Sequence, residues 1–379
     1  MKKQSLEKHE NEHFSGRKSV IVSDPVVPQE LRNRWKIAVL GAGSWGTALA
    51  VHFSLAGHDV RLWARRQLAA DAMSRSRKNA DYLPRCELPE ALVVSADAEA
   101  CMADADLVIS VIPSRFLRSV WDEISYAFPS GAHLISATKG LEDETGLRMS
   151  QVLSEYTNGR EASIMALSGP SFAAELVEGH PTAVTLACAN LEAAESVQAC
   201  LSHGPLRAYR NADIVGVEHG GALKNAIAIA TGIADGLGFG TNSRAALITR
   251  GLKELTGLAV ARGARPDTLM GLAGLGDLVL TCTGSLSRNR HVGIELGKGR
   301  SLEEIIDGMQ MVAEGVETVL AAFHLGRRLK VEMPITNEVY AILQEGKSAR
   351  AAIEDPVSYT HLRAHETRHD LVCRLLLEK

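Results

Sequence analysis

The stretch KIAVLGAGSWGTALA, residues 36–50, decides the fold of this chain. Residues 37–40 are a short apolar run of β-forming residues with the length of a buried parallel strand. Gly41, Gly43 and Gly46 follow with G-x-G-x-x-G spacing, and the small, apolar residues after them are typical of a helix. The stretch therefore predicts a strand, a tight turn and the start of a helix.

Each glycine of this turn has its own use in a dinucleotide-binding fold. Gly41 permits the tight turn, Gly43 lets a pyrophosphate approach the backbone, and Gly46 lets helix and strand pack closely. The helix start offers unpaired N–H groups and a partial positive charge to the phosphates. We therefore predict that Gly41, Gly43 and Gly46 bind a dinucleotide. The alternative is a glycine-rich turn without a ligand.

The residues after the second predicted strand, residues 59–63, indicate which dinucleotide binds. In an NAD-specific fold, an acidic residue here holds the 2′-hydroxyl of the ribose. This chain has Ala64, Arg65 and Arg66 instead, and two guanidinium groups suit a 2′-phosphate. The sequence predicts NADP(H) as the cofactor, with NAD(H) left open. The alternative is a pair of solvated surface arginines.

The composition narrows the class of protein. A chain of 379 residues with 46% apolar and 23% charged residues is typical of a globular protein of two or three domains. A net charge of −4 gives no reason to expect nucleic acid or an anionic membrane as partner. The six cysteines lack a C-x-x-C pair, no apolar run has the length of a membrane helix, and the polar N-terminus lacks the apolar core of a signal peptide. These features predict a cytoplasmic protein that does not insert into membranes.

Further β-like runs follow at the spacing of an α/β fold, at residues 107–112, 133–137, 163–167 and 183–188. Apolar strands separated by helical segments predict a mainly parallel sheet covered on both faces. Ligands of such sheets bind beyond the carboxyl ends of the strands. Lys139 and the turn at residues 168–171 follow strand ends, so both should face the cofactor cleft.

The character of the sequence changes near residue 212, where strand-like runs stop and helical periodicity begins. We predict an α/β fold with an N-terminal Rossmann-type doubly wound sheet followed by an all-helical substrate domain. The predicted parts are a flexible leader (1–34), the dinucleotide-binding domain (35–212), the helical catalytic domain (213–354) and a disordered or foreign tail (355–379).

Lys224 is the first candidate for chemistry. It stands among alanines and isoleucines on a helix that we predict to be buried, and burying an ammonium group is costly unless it is paired or functional. Burial lowers the pKa of an ammonium group, which suits a residue that donates and accepts a proton near neutral pH. The alternative is a lysine whose ammonium group reaches the surface.

Two later segments offer polar groups for a substrate. Asp277 lies in a glycine-rich loop and can orient a lysine or accept from a substrate hydroxyl; the alternative is a loop or capping acid. Ser287, Arg288 and Asn289 together can hold a phosphate with a guanidinium, a hydroxyl and N–H groups. The alternative is that Ser287 caps a helix and the arginines are solvated.

Residues 365–369 match H-E-x-x-H, the helix signature of zinc proteases. The match lies in the last fifteen residues of the chain, and no third ligand follows at metzincin spacing. We therefore predict no catalytic metal.

Six motifs together resemble the bacterial-type NAD(P)-dependent glycerol-3-phosphate dehydrogenase family. They occur in the family's order, at residues 41–46, 139–140, 168–171, 220–225, 274–278 and 287–289, and the resemblance covers about residues 35–353. It implies a Rossmann-type domain, a helical substrate domain and assembly as a homodimer. It also implies reversible interconversion of sn-glycerol 3-phosphate and dihydroxyacetone phosphate, which supplies glycerophospholipid synthesis. The tail does not resemble the family.

The resemblance also implies a role for individual residues. Lys224 would be the proton donor and acceptor. The cofactor would contact Ser44, Trp45, Arg65, Arg66, Lys139, Ala173, Arg288, Val312 and Glu314. The substrate would contact Lys139, Gly169, Ser171, Lys224, Asp277, Ser287, Arg288 and Asn289.

Two other functions share parts of this pattern. A related hydroxy-acid dehydrogenase would also combine a Rossmann domain, a helical domain and an active-site lysine, but its carboxylate substrate would leave the phosphate-binding group at residues 287–289 unexplained. A non-catalytic NADPH sensor would bind the cofactor without turnover. The polar groups of Lys139, Lys224 and Asp277 argue against a sensor.

Overall fold

The computed structural model of the chain describes residues 34–143, 145–157, 159–309 and 314–352. Several predictions concern residues outside these ranges: the leader except for Arg34, Val312, the H-E-x-x-H segment and the tail. The strands are β1 (Lys36–Leu40), β2 (Asp59–Trp63), β3 (Lys78–Asn79), β4 (Leu83–Glu87), β5 (Val93–Ser95), β6 (Leu107–Ser110), β7 (His133–Ser136), β8 (Ile164–Ser168), β9 (Thr182–Cys188) and β10 (Leu206–Asn211).

In the part of the chain that the structure describes, seven α-helices lie among or beside the strands and eight follow them. The first group is α1 (Ser44–Leu55), α2 (Gln67–Ser76), α3 (Ala98–Met102), α4 (Ser114–Ile124), α5 (Met149–Thr157), α6 (Ala173–Val177) and α7 (Leu191–Leu201). The second group is α8 (Ile214–Gly236), α9 (Thr241–Ala261), α10 (Pro266–Leu269), α11 (Asp277–Thr283), α12 (Arg288–Gly297), α13 (Leu302–Asp307), α14 (Glu314–Leu329) and α15 (Pro334–Gln344).

The main sheet has eight strands in the order β10-β9-β8-β7-β6-β1-β2-β5. All neighbouring strands are parallel except β8 and β9, which pair antiparallel. The strand order reverses at β1, which pairs with β2 on one side and β6 on the other. A ligand cleft forms at such a switch point, outside the carboxyl ends of the strands.

Both faces of this sheet are covered, as the apolar strands predicted. Ile37 and Val39 of β1 belong to the hydrophobic core on one face, while Ala38 and Leu40 belong to the core on the other. All four are at most 1% exposed, because side chains alternate between faces along a strand and both faces carry helices.

Helix α8 is the centre of the helical part. Its residues from Gly216 to Ala234 are all buried, and α9, α11, α12 and α14 pack around it. A helix that is apolar all round is a core helix. Within the described residues only helices follow β10, so the predicted fold class, a Rossmann-type sheet followed by a helical region, is confirmed. The division at residue 212 stays a prediction.

The described residues contain no single helix that is long and apolar enough to cross a membrane. One bent pair of segments, Pro266–Thr283 with Arg288–Gly297, meets the criterion by length and composition only.

Candidate active site

The glycine turn after β1 has the geometry that its sequence predicted. Gly41 has a φ of +119°, and a Cβ there would come within 2.8 Å of the Val111 carbonyl oxygen. A Cβ on Gly46 would overlap the Gly41 carbonyl, so Gly46 is where helix and turn touch. Gly43 has no neighbour within 4 Å of its missing Cβ. As the N-cap of α1, it has no side chain to occupy the N–H groups of that helix.

One large cavity of about 690 Å³ begins at this turn and ends in the helical part. Most of the predicted site residues line it: Gly41, Gly43, Ser44, Trp45, Arg65, Arg66, Lys139, Ser171, Ala173, Lys224, Asp277, Ser287, Arg288, Asn289 and Glu314. Gly46 lies beneath the turn, and Gly169 contributes its carbonyl to Lys139. The cavity therefore joins the predicted cofactor and substrate residues in one space.

The two arginines after β2 lie at the sheet end of the cavity. Arg65 Nη2 is 3.3 Å from Glu123 Oε1, and Arg66 Nη2 is 3.9 Å from Asp81 Oδ2. More than half of each arginine side chain is exposed, and exposed pairs of this kind are weak. Both guanidinium groups can therefore turn to a phosphate without a large loss of free energy.

At the other end of the cavity, one carboxylate joins two lysines. Lys224, in α8, places its Nζ 2.9 Å from Asp277 Oδ1. Lys139, which follows β7, places its Nζ 2.7 Å from the other oxygen, Oδ2. The side chains of Lys224 and Asp277 are only 7% and 2% exposed, so this charge pairing is shielded from water. Lys139 Nζ also donates to the Gly169 carbonyl at 2.9 Å.

Thr281 completes the surroundings of the Lys224 amine. Lys224 Nζ donates to Thr281 Oγ1 at 2.7 Å, and that hydroxyl donates to the Asp277 carbonyl at 2.6 Å. Burial lowers the pKa of Lys224 to about 8; the negative charge of Asp277 opposes this shift and the positive charge of Lys139 adds to it. The amine is therefore able to release and regain a proton near neutral pH.

A fourth charged residue, Glu314, begins α14 and lines the same cavity. Burial raises the pKa of its carboxyl, and the positive charges of Arg288, Lys224 and Lys139 oppose that rise. The cationic groups at this end of the cavity therefore face both Asp277 and Glu314.

The phosphate-binding candidates lie at the N-terminus of α12. Ser287 is the N-cap and its hydroxyl accepts from the Arg290 N–H at 3.3 Å, so it caps a helix and lines the cavity at the same time. Asn289 Oδ1 accepts from the Gly315 N–H at 3.1 Å, which ties α12 to α14. The first turn of α12 therefore presents Arg288 beside N–H groups of a helix start, an arrangement suited to an anion.

Several residues that line the cavity were not predicted from the sequence. Thr281 stands four residues after Asp277, which is a signal only once a helix is known to begin at Asp277. Arg115 of α4 and Glu317 of α14 also line the cavity, and their Nη1 and Oε1 atoms are 2.9 Å apart. They are far apart in the sequence and neither belongs to a recognisable motif.

Known proteins are similar to this chain over most of its length. Residues 36–194 match the family model described as NAD-dependent glycerol-3-phosphate dehydrogenase N-terminus, and residues 213–354 match the corresponding C-terminus model. A relative from Acidobacterium capsulatum, named glycerol-3-phosphate dehydrogenase (NAD(P)+), is 50% identical over 326 residues, or 84% of this chain and 96% of that protein. A protein of the same name from Syntrophotalea carbinolica is 52% identical over 320 residues, again covering 84% and 96%.

A solved structure gives the same result. The crystal structure of a glycerol-3-phosphate dehydrogenase from Coxiella burnetii superposes with a TM-score of 0.82 at 37% identity. The superposition covers 86% of this chain and 99% of that one. The similarity therefore extends through the sheet and the helical part alike.

Proposed function

Because this chain belongs to the NAD-dependent glycerol-3-phosphate dehydrogenase family, we propose that Lys224 is the residue that moves the proton in its reaction. The chain has glycerol-3-phosphate dehydrogenase (NAD(P)+) activity; it is an oxidoreductase that acts on a CH–OH group with NAD(P)(H) as coenzyme. One observation carries the proposal: Lys224 lies buried, beside Asp277 and Thr281, in the cavity that begins at the glycine turn.

The residues of the cavity fit a phosphorylated dinucleotide. The open space at Gly43 and the uncapped start of α1 suit the pyrophosphate, and Arg65 and Arg66 suit a 2′-phosphate, which favours NADP(H) over NAD(H). The nicotinamide ring, when bound, supplies or takes the hydride. Trp45 and Ala173 would contact the cofactor near the turn and Arg288 and Glu314 farther along; Val312 remains a proposed contact from the family resemblance.

The substrate, dihydroxyacetone phosphate or sn-glycerol 3-phosphate, would be held by its phosphate at Ser287, Arg288 and Asn289. This remote anchoring orients the reacting carbon and lowers the entropy cost of reaching the transition state. Gly169 and Ser171, beside Lys139, would complete the substrate contacts.

In the reducing direction, the Lys224 ammonium would donate its proton to the C2 carbonyl oxygen as negative charge develops there. Lys139 adds positive potential at the same place, and Asp277 keeps both amines in position through its two oxygens. In the oxidising direction, the neutral Lys224 amine would accept the proton of the C2 hydroxyl.

We further propose that the enzyme supplies sn-glycerol 3-phosphate for glycerophospholipid synthesis, acts in the cytoplasm and assembles as a homodimer. The family resemblance supports the first and third statements. For the second, the five cysteines within the described residues are buried and unpaired, as is usual in a reducing compartment. Sedimentation of the purified chain tests the assembly.

An absorbance assay tests the function directly. The purified chain should oxidise NADPH when dihydroxyacetone phosphate is added, more efficiently than NADH, and should leave hydroxypyruvate almost untouched. Faster turnover of hydroxypyruvate would support the hydroxy-acid dehydrogenase instead. Binding of NADPH without turnover of any ketone would support the sensor.

A further inference from the structure

A buried carboxylate outside the cavity holds two arginines at once. Asp235, the penultimate residue of α8, accepts through Oδ1 from Arg244 Nη2 at 2.6 Å and through Oδ2 from Arg290 Nη2 at 2.7 Å. Each arginine also donates its Nε to the same oxygen, at 3.1 and 2.9 Å. The Asp235 side chain is 9% exposed, and a carboxylate at a helix C-terminus needs such partners, because the helix dipole there is negative.

Arg290 connects this carboxylate to the substrate end of the cavity. It lies in the first turn of α12, directly after Arg288 and Asn289, and its own N–H donates to the cap Ser287. Arg244 lies in the first turn of α9, and neither Arg244 nor Arg290 lines the large cavity itself. Of the two partners of Asp235, Arg290 is the one that shares a helix turn with the phosphate-binding candidates.

The backbones of α8 and α12 touch at this point. A Cβ on Gly232 of α8 would overlap the Arg290 carbonyl, and a Cβ on Gly293 of α12 would overlap the Ile229 carbonyl. Packing at these glycines brings the two helices together, but glycines carry no side chain that fixes the rotation of α12 about its axis. The Asp235–Arg290 pair adds a directional constraint to that of the Asn289–Gly315 hydrogen bond, because two N–H groups of Arg290 converge on one carboxylate oxygen in short charge-assisted hydrogen bonds.

We propose that Asp235 is a positioning residue for the substrate phosphate. Through Arg290 it fixes the first turn of α12, and with it the direction of the Arg288 guanidinium and of the helix N–H groups. The inference rests on the proposed function, because it takes residues 287–289 as the phosphate site. Its consequence is specific: loss of the pair weakens recognition of the phosphate and leaves the chemistry at Lys224 in place.

Two substrates and two arginine variants test this proposal. In Arg290→Met, kcat/KM for dihydroxyacetone phosphate should fall roughly tenfold, the size expected for one displaced charge-assisted hydrogen bond. For dihydroxyacetone, which lacks the phosphate, kcat/KM should be unchanged. Arg244→Met is the matched control, because it removes the other partner of the same carboxylate; the preference for the phosphorylated substrate should stay.

A conservative variant guards against a folding defect. Arg290→Lys keeps the cation beside Asp235 and should recover part of the lost preference, whereas Asp235→Asn should lose it as Arg290→Met does. Equal losses with both substrates, or equal effects of Arg290→Met and Arg244→Met, would overturn the inference. An unmodified chain that does not reduce dihydroxyacetone phosphate would instead overturn the proposed function.

Discussion

At the scale of single residues, the site depends on how charge is shared around Asp277. Its two oxygens face two lysines, and Thr281 accepts from the one that is more deeply buried. Burying the Asp277 carboxylate without these partners would cost free energy of folding, and so would burying either amine alone. Lys224 is thus kept in place by these contacts, while its burial leaves its pKa low enough for proton transfer.

Replacing Lys224 by alanine should abolish turnover without abolishing cofactor binding. The change removes the proton donor, so kcat for reduction should fall by roughly two to four orders of magnitude, as for other lost general acids. The Kd of NADPH, measured by fluorescence titration, should change little because the glycine turn and the arginines are untouched. Lys298→Ala, which removes an exposed lysine at the C-cap of α12, is the control. Near-normal turnover would remove Lys224 from its proposed role.

The pH dependence of the two directions should be opposite. Reduction needs the ammonium form of Lys224, so its kcat should fall as pH rises through the pKa of about 8, while kcat for oxidation should rise over the same interval. In Asp277→Asn, loss of the negative charge that raises this pKa should move both inflections to lower pH. Inflections that stay in place in this variant, measured in both directions, would assign the titration to another group.

We propose that Arg65 and Arg66 give the enzyme a preference for NADP(H). Replacing both with alanine should raise KM for NADPH roughly tenfold to a hundredfold, the loss expected for charge-assisted contacts to a phosphate, and should alter KM for NADH much less. Arg85→Ala, an exposed arginine of β4 that does not line the cavity, is the control. Equal losses for both cofactors would exclude recognition of the 2′-phosphate by this pair.

At the scale of elements, strands with a signal in their own short stretch of sequence could be predicted. The bounds of β2 were predicted residue for residue, because five residues bounded by a glycine and a polar turn carry their own signal. β10 was missed: its buried Leu206 and Ala208 alternate with exposed Arg207, Tyr209 and Arg210, the pattern of an edge strand rather than of a continuous apolar run.

In the site too, contacts between residues that are distant in the sequence could not be predicted. Burial of Lys224 follows from its apolar neighbours in the sequence, but the bridge from Lys139 to Asp277 joins residues that are 138 positions apart. The partners of Asp235 are likewise brought together only when α8, α9 and α12 pack. Periodicity and spacing cannot predict which side chains meet across such distances, whereas a family resemblance can suggest that they share a site.

The contact between α8 and α12 predicts a stability effect. Gly293→Ala would place a methyl group on the Ile229 carbonyl, so the helices must move apart, and the free energy of unfolding should fall by roughly 1–3 kcal/mol, as for other overpacked cores. Thermal unfolding measures the change. Gly308→Ala is the control, because its Cβ would meet no atom closer than 3.5 Å. Equal melting temperatures for both variants would show that the helices move apart here without loss of stability.

At the scale of the whole molecule, the cavity is lined by elements of the sheet part on one side and of the helical part on the other. The sheet part contributes the glycine turn and the start of α4, and the helical part contributes α8, α11, α12 and the start of α14. Contacts that join the two parts across the cavity therefore influence how fast a bound cofactor can leave, in addition to how tightly it is held.

The Arg115–Glu317 pair is such a contact, since it joins α4 to α14 where both line the cavity. Its side chains are 39% and 31% exposed, so the pair should contribute only about 0.2–1 kcal/mol. Glu317→Gln should therefore raise the NADPH dissociation rate, measured by stopped-flow fluorescence, roughly two- to fivefold. Arg118→Gln is the matched control, because Arg118 lies on the same helix but pairs with Glu142 and Glu155 of the sheet part. If both variants release NADPH at the unmodified rate, the pair does not hold the cavity closed.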